Sequence, residues 1–422
     1  MADKFAILER YNFWKGTVPE LGLRRNEYLN KIADFIGNKL VKVLVGQRRV
    51  GKSYILRQII FSLIGQGVSP KNIFYLNKEF ADFDFITAYG HLDDLIKRYK
   101  QTLMPEGKIY LFIDEIQNIE GWEHLINSYS QDFTQNCEIF ISGSNTQLLS
   151  GELATLLSGR YVQFQILPFS YREYIEIEQL DNSKTSYQNY LKSGGLPELF
   201  HLPNDETKRH YVTSIKDTIL LRDIIQRYRI KDARLLEDIF IFLVNNASNL
   251  ISINKIVNYF KSKNRKTNYE TVANYIGYLK NTFLVHQVDR FNIKGKDIVS
   301  GNCKYYINDL AFKNYLYPGF EYGLGSKLEN LIYLQLLNSG YTIYTGVMRD
   351  KEIDFVASKN NRDIYLQVAY LLIDKKTIER EFGELERIPD NYEKFVISLD
   401  DLSLQNYKGI KHVLAWQLND IL

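Results

Sequence analysis

KLVKVLVGQRRVGKSYILRQII, residues 39 to 60, joins an apolar run to a helical pattern through Gly46-Gln47-Arg48-Arg49-Val50-Gly51-Lys52-Ser53. This is a complete phosphate-binding loop: its glycines let the backbone curl so that successive N–H groups point inward, and the helix that follows adds its positive end. The reading assigns a nucleotide to Gly46, Gln47, Arg48, Arg49, Val50, Gly51, Lys52, Ser53 and Tyr54. Lys52 is expected to reach the β- and γ-phosphates, and Ser53 to hold a magnesium ion bridging them.

A second segment fits the first. Ile109-Tyr110-Leu111-Phe112-Ile113 reads as a buried parallel strand ending in Asp114-Glu115, and nucleotide sites in open α/β sheets lie at the carboxyl ends of strands. Asp114 is then a ligand in the magnesium shell and Glu115 the residue that polarises the attacking water. Two adjacent acids more often sit in a solvated turn; the strand before them argues for the site.

From about residue 30 to 168, strands and helices alternate as a doubly wound sheet requires. Strands are predicted over Val41–Val45, Ile73–Leu76, Ile109–Ile113, Glu138–Ile141 and Tyr161–Ile166, with an additional strand between the loop strand and the acidic one. After the fourth, Ser144 and Asn145 either sense the γ-phosphate or cap the next helix. Arg160, after a predicted short helix and Leu156-Leu157-Ser158-Gly159, either offsets charge on a transferred phosphate, in its own subunit or a neighbour's, or is a surface arginine.

The remainder divides by pattern. Residues 1–29 form an N-terminal segment, and 169–232 read as a helical lid beside the core, broken by Gly194-Gly195-Leu196-Pro197. In 233–300, two short helices flank the basic turn SKNRKTN and precede a hairpin tipped by Lys294-Gly295-Lys296, the order of a winged helix-turn-helix. Nine Lys or Arg stand against three acids between Ile251 and Ser300, although the whole chain carries only +3. Duplex DNA is therefore an expected partner, with Lys261, Lys263, Arg265, Lys266, Lys294 and Lys296 on phosphates; a protein-docking module or spacer is the alternative.

Residues 301–422 return to α/β. Glu329 on a predicted helix, and Asp354 and Gln367 on adjacent predicted strands, imitate the carboxylate set of metal-dependent nucleases. That chemistry wants Glu-x-Lys where this chain has Gln367-Val368-Ala369, so the nuclease site reads as degenerate. Glu329 and Asp354 either retain a weak metal or pair with Arg349 or Lys351.

Composition bounds the rest. With 422 residues and 45% hydrophobic content the chain is long enough for several domains. Two cysteines, Cys137 and Cys303, give no disulfide framework. The charged start MADKFAILERYNFWKG lacks a signal peptide's apolar core, and no run approaches the ~20 apolar residues of a membrane span. A cytoplasmic location follows as the expectation.

VGQRRVGKS, LFIDEIQNIEGWE, FISGSNTQLLSGE, LLSGRY, LPFSYREY, SGGLPE and DTILLRDI, in this order, resemble the prokaryotic AAA+-like proteins grouped as archaeal-type ATPases, which end in a domain of unknown function with a restriction-endonuclease-like fold. The resemblance implies an α/β multidomain chain: an ASCE/AAA+-like P-loop core, helical lid, winged helix and nuclease-like domain. It implies ATP and Mg2+ as cofactors, and it assigns Lys52, Glu115, Asn145 and Arg160 as catalytic and Ser53 and Asp114 as metal ligands. The expected activity is ATP hydrolysis coupled to DNA or a protein partner; the alternative is a slow nucleotide-dependent switch acting on proteins. Oligomeric state is left open.

Overall fold

The computed structural model describes residues 4–146, 157, 159–318, 323–349, 351–401, 403, 404 and 406–422. It separates into two compact units, residues 1–166 and 167–422.

The first unit is built on five parallel strands, β1 (Val41–Val45), β2 (Ile73–Asn77), β3 (Ile109–Asp114), β4 (Cys137–Gly143) and β5 (Tyr161–Gln165), in the order β2-β3-β4-β1-β5. β4 is thus the strand inserted between the loop strand and the acidic strand. Four of the five are buried along nearly their whole length, which explains their continuous apolar runs. The helix Lys52–Gly65 turns Ile55, Leu56, Ile59, Ile60 and Leu63 onto the sheet, and the rings of Phe112 and Phe140 stack across β3 and β4 at 4.5 Å. The short helix expected before Arg160 lies outside the described residues.

One edge of this sheet is closed by side chains. Asn12 donates to the Tyr75 carbonyl at 2.9 Å and accepts from the Tyr75 N–H at 2.7 Å, so its amide pairs with β2 as a neighbouring strand would. Trp14 donates to the Ile73 carbonyl at 2.6 Å.

At the amino ends of the strands lies a buried ion cluster. Lys42 on β1 meets Glu138 on β4 at 2.6 Å, with side chains 0% and 1% exposed, and Lys108 reaches the second Glu138 oxygen at 3.0 Å. Burial pulls the Lys42 ammonium below its usual range, against the pull of Glu138.

The second unit carries an eight-stranded mixed sheet. Its strands are β6 (Leu250–Ile251), β7 (Val285–Asn292), β8 (Asp297–Ile307), β9 (Thr342–Met348), β10 (Lys351–Lys359), β11 (Arg362–Val368), β12 (Glu393–Ser398) and β13 (Lys411–Leu414), in the order β13-β12-β11-β10-β9-β7-β8-β6. The boundary predicted at residue 300 falls inside β8, and the parallel pairing of β7 with β9 makes one sheet of both predicted domains. The helices Tyr171–Ile177 and Lys184–Ser193, predicted as part of a lid, are bonded into this unit: Tyr187 donates to Gln335 at 3.1 Å, and the Gly195 N–H to Asp309 at 2.8 Å. A Cβ on Gly194 would stand 2.1 Å from the Asp309 carboxylate, which accounts for the SGGLPE breaker.

Candidate nucleotide site

The loop Gly46–Gly51 leaves the carboxyl end of β1 beside those of β3 and β4. A Cβ on Gly46 would lie 2.3 Å from the Ile166 carbonyl oxygen, and Gly51 holds φ at 98°, so both positions require glycine. Val50 is fully buried and packs into the core beneath the loop, and Arg49 is exposed with φ at 64°. Tyr54 is partly exposed, with the Arg57 guanidinium 4.2 Å over its ring.

Lys52, Ser53, Asp114 and Glu115 come together at the carboxyl ends of β1 and β3. The Lys52 ammonium donates to the carbonyls of Gly46 at 3.1 Å and Gln47 at 3.2 Å and lies 3.4 Å from Glu115. Ser53 lies close enough to the Asp114 carboxylate to offset part of what burial costs it. Burial penalises the charge on Glu115, yet Lys52, Arg48 and the neighbouring Gln117 and Ser144 together outweigh it and hold that carboxyl below the usual glutamate range. Asp114 moves the other way, raised by burial and then by Glu115. Glu115 also takes φ 55°, a left-handed backbone uncommon for a non-glycine residue, which marks the strand end as constrained.

Several residues outside the predicted set shape the site. Ser142 on β4 donates to Asp114 and accepts from the Glu115 N–H at 3.2 Å, tying both acids to the central strand. Asn77 donates to Asp114 at 3.1 Å, and Gln117 to Glu115. Arg48 is ion-paired with Glu79. Arg25, 1% exposed, donates to the Val50 carbonyl at 3.0 Å from outside the loop, while its own N–H bonds Gln58 at 3.1 Å. Polar residues at predicted strand ends, Asn77 and Ser142, were the available signal; Arg25 carried none.

Asn145 is buried after β4, beside Ser144, whose hydroxyl is 3.4 Å from the Gln117 amide. Arg160 is a correction. It precedes β5, and its carbonyl accepts from the Val41 N–H at 2.9 Å, at the amino ends of parallel strands. The phosphate loop begins at the other end of β1, roughly 15 Å of strand away. Arg160 therefore does not serve the site of its own chain.

Magnesium fits this donor set. A hydroxyl and a carboxylate near one another, Ser53 and Asp114, are the hard oxygen ligands the ion takes, with water and phosphate oxygens completing its shell. Among the described residues no group of three or more His, Cys, Asp or Glu is placed to hold a metal by itself.

The second predicted site is differently arranged. Glu329, on the helix Leu324–Asn338, and Asp354, at a bulge in β10, pair with neither Arg349 nor Lys351 as their nearest cation; both meet Lys304 of β8, at 2.8 Å and 3.2 Å. Glu352 lies 2.6 Å from the same ammonium. Gln367 accepts from the Asp354 N–H at 3.2 Å and faces Glu384 at 3.4 Å.

In the basic region, the helices Ala233–Asn245, Ile253–Ser262 and Tyr269–Asn281 precede the β7–β8 hairpin, and β6 pairs antiparallel with β8. Lys261, Lys263, Lys266, Lys294 and Lys296 are exposed. Arg265 is not available as they are, being ion-paired with Asp238 at 3.0 Å and Asp232 at 3.5 Å.

Comparison with known proteins matches residues 38–175 to an AAA domain and residues 184–325 to a domain of unknown function (DUF8612). An uncharacterized protein of Haemophilus influenzae is 34% identical over 404 residues, covering 94% of this chain and 98% of its own. The uncharacterized protein MJ1544 of Methanocaldococcus jannaschii is 30% identical over 386 residues, 88% of this chain and 81% of its own. Among solved structures, the Walker-type ATPase PABY2304 of Pyrococcus abyssi is similar over 69% of this chain and 95% of that one, at 16% identity and a TM-score of 0.42.

Proposed function

The chain belongs to the archaeal-type AAA+-like P-loop ATPases, and from that premise we propose that it binds ATP with Mg2+ at Gly46–Ser53 and hydrolyses it, nucleotide state being coupled to DNA. The observation that carries this reading is the meeting of Lys52, Ser53, Asp114 and Glu115 at the carboxyl ends of β1 and β3.

Backbone N–H groups of the loop cradle the phosphates, and Lys52 exchanges the Gly46 and Gln47 carbonyls for β- and γ-phosphate oxygens. Ser53 and Asp114 are the residues that would hold Mg2+, which supplies neutralisation of phosphate charge. Glu115, kept ionised by Lys52 and Arg48, orients the attacking water and accepts its proton. Asn145 is positioned after β4 to contact the γ-phosphate.

The order of a helix, a short strand, two helices and a basic hairpin supports a winged helix, with five exposed lysines as phosphate contacts. If all five neutralise phosphates, log Kobs falls against log salt with a slope of about −4 to −5. The C-terminal strands form the degenerate nuclease-like part, which holds or senses DNA without cutting it.

The test is steady-state ATP hydrolysis by the purified chain, with and without duplex DNA, at two salt concentrations. Stimulation that fades with salt supports DNA coupling, and turnover persisting in Lys52→Ala removes the site assignment. The slow-switch reading gains from one observation: Arg160 is remote from its own chain's phosphate site. It predicts nucleotide that co-purifies, negligible turnover and no response to DNA.

A further inference from the structure

Metal-dependent phosphodiester cleavage needs a divalent cation between carboxylates carried by neighbouring elements. In the second unit three acids on neighbouring elements, Glu329, Glu352 and Asp354, do surround one cation, but that cation belongs to the chain itself. Lys304 places its ammonium 2.8 Å from Glu329, 2.6 Å from Glu352 and 3.2 Å from Asp354, with its side chain 2% exposed. An ammonium has three donors and no acceptor; here it donates to Glu329 and Asp354 and forms an ion pair with Glu352.

The surrounding bonds fix this arrangement. Tyr306 donates to the Glu329 oxygen that Lys304 also contacts, at 2.7 Å. The other Asp354 oxygen accepts from the Val368 N–H at 2.9 Å, so the carboxylate is bound on both sides. The bulge between Ile353 and Val356 re-aims Asp354 out of regular strand register. Burial works against the charge on Lys304, but Glu329, Asp354 and Glu352 more than reverse it and hold the ammonium strongly protonated. A divalent ion sharing these oxygens at the usual 2.0–2.6 Å would stand almost on top of the ammonium.

We infer that Lys304 is the resident cation of this centre, standing where the nuclease-like fold would carry a metal, so that the C-terminal region works without metal and without cleaving. The inference rests on the nuclease-like reading of that region. It explains why the loss of Glu-x-Lys at Gln367-Val368-Ala369 is tolerated: compensation for Asp354 and Glu329 arrives from β8 instead. It also assigns the whole divalent-metal requirement of the protein to the nucleotide site.

Mn2+ binding to the full-length chain, counted by electron paramagnetic resonance, tests this. Wild-type protein should bind no tight Mn2+ alone and one equivalent with a non-hydrolysable ATP analogue. Lys304→Met should melt at lower temperature, recover part of the loss on adding Mn2+, and bind one further equivalent independent of nucleotide. A nucleotide-independent Mn2+ in the wild type that disappears in Asp354→Asn overturns the inference, and this arm needs no Lys304 variant to fold. A folded Lys304→Met chain that takes no extra ion overturns the nuclease-like reading beneath it.

Discussion

Replacing Glu138 by Gln tests how the first unit tolerates charge inside its sheet. The Lys42 and Glu138 side chains are 0% and 1% exposed, so without the carboxylate the Lys42 ammonium has no anion and no water. It then either stays charged, at about 3–5 kcal/mol for an uncompensated buried ion, or gives up its proton. Proton release at pH 7 costs about 5 kcal/mol, some three and a half units below the free lysine value at 1.36 kcal/mol each. Both routes give about 3–5 kcal/mol. At an m-value of about 2 kcal/mol per molar, the urea midpoint of the first unit should fall by roughly 2 M. Trp14 and Trp122 report on that unit in a Trp416→Phe background. If the proton leaves, folded Glu138→Gln binds fewer protons than the unfolded chain, so its stability should rise with pH towards about 10. Exchanging both partners for apolar residues, Lys42→Met with Glu138→Leu, should restore stability to within about 1 kcal/mol, a midpoint within about 0.5 M of the wild type. A single-variant shift under about 0.3 M would refute the view that this pair is isolated from solvent.

Gly46→Ala forces a methyl to within 2.3 Å of the Ile166 oxygen, so the loop must shift and nucleotide affinity should drop at least tenfold; equilibrium binding of a fluorescent ATP analogue reads this, and unchanged affinity would remove the close-approach argument. Asp309 supplies a pH dependence. Burial pushes its carboxyl up to about 7, against the opposing N–H bonds from Ala311, Gly195 and Leu196. Its folded value exceeds the unfolded one near 3.9, so the folded state holds the extra proton between them. Stability from this source is full below about pH 4 and is lost as pH rises through about 7. Asp309→Asn should flatten the urea midpoint of the second unit across that window, and an unchanged slope would show that Asp309 does not titrate there.

The meeting of the loop with Asp114 and Glu115 was legible because sequence dictates the local backbone: two glycines, a lysine and a serine in fixed spacing admit few other conformations, and an apolar strand ending in Asp114-Glu115 has few other uses. Arg160 shows where reading motifs one at a time fails. With Tyr161–Ile166 predicted as a strand parallel to Val41–Val45, the residue before it must lie at the end opposite the loop. Parallel topology alone dictates that placement. Lys304 and Arg25 were not legible, since a lone cation in a strand or before a helix has no period, and its partners come from distant parts of the sequence. The boundary at 300 failed because a turn-rich hairpin resembles a domain end, whereas β7 continues its pairing into β9.

The amide of Asn12 and the indole of Trp14 occupy backbone groups of β2 that would otherwise face outward along an outer strand. An outer strand with free N–H and C=O groups is a template on which another copy can add itself. Residues 12 and 14 act as a side-chain surrogate for a sixth strand, at no cost in chain length. Their role is guardianship of the sheet's flank: a chain shortened past Trp14 would keep the loop Gly46–Gly51, Asp114 and Glu115 yet offer β2 to its neighbours, and its failure would show as self-association.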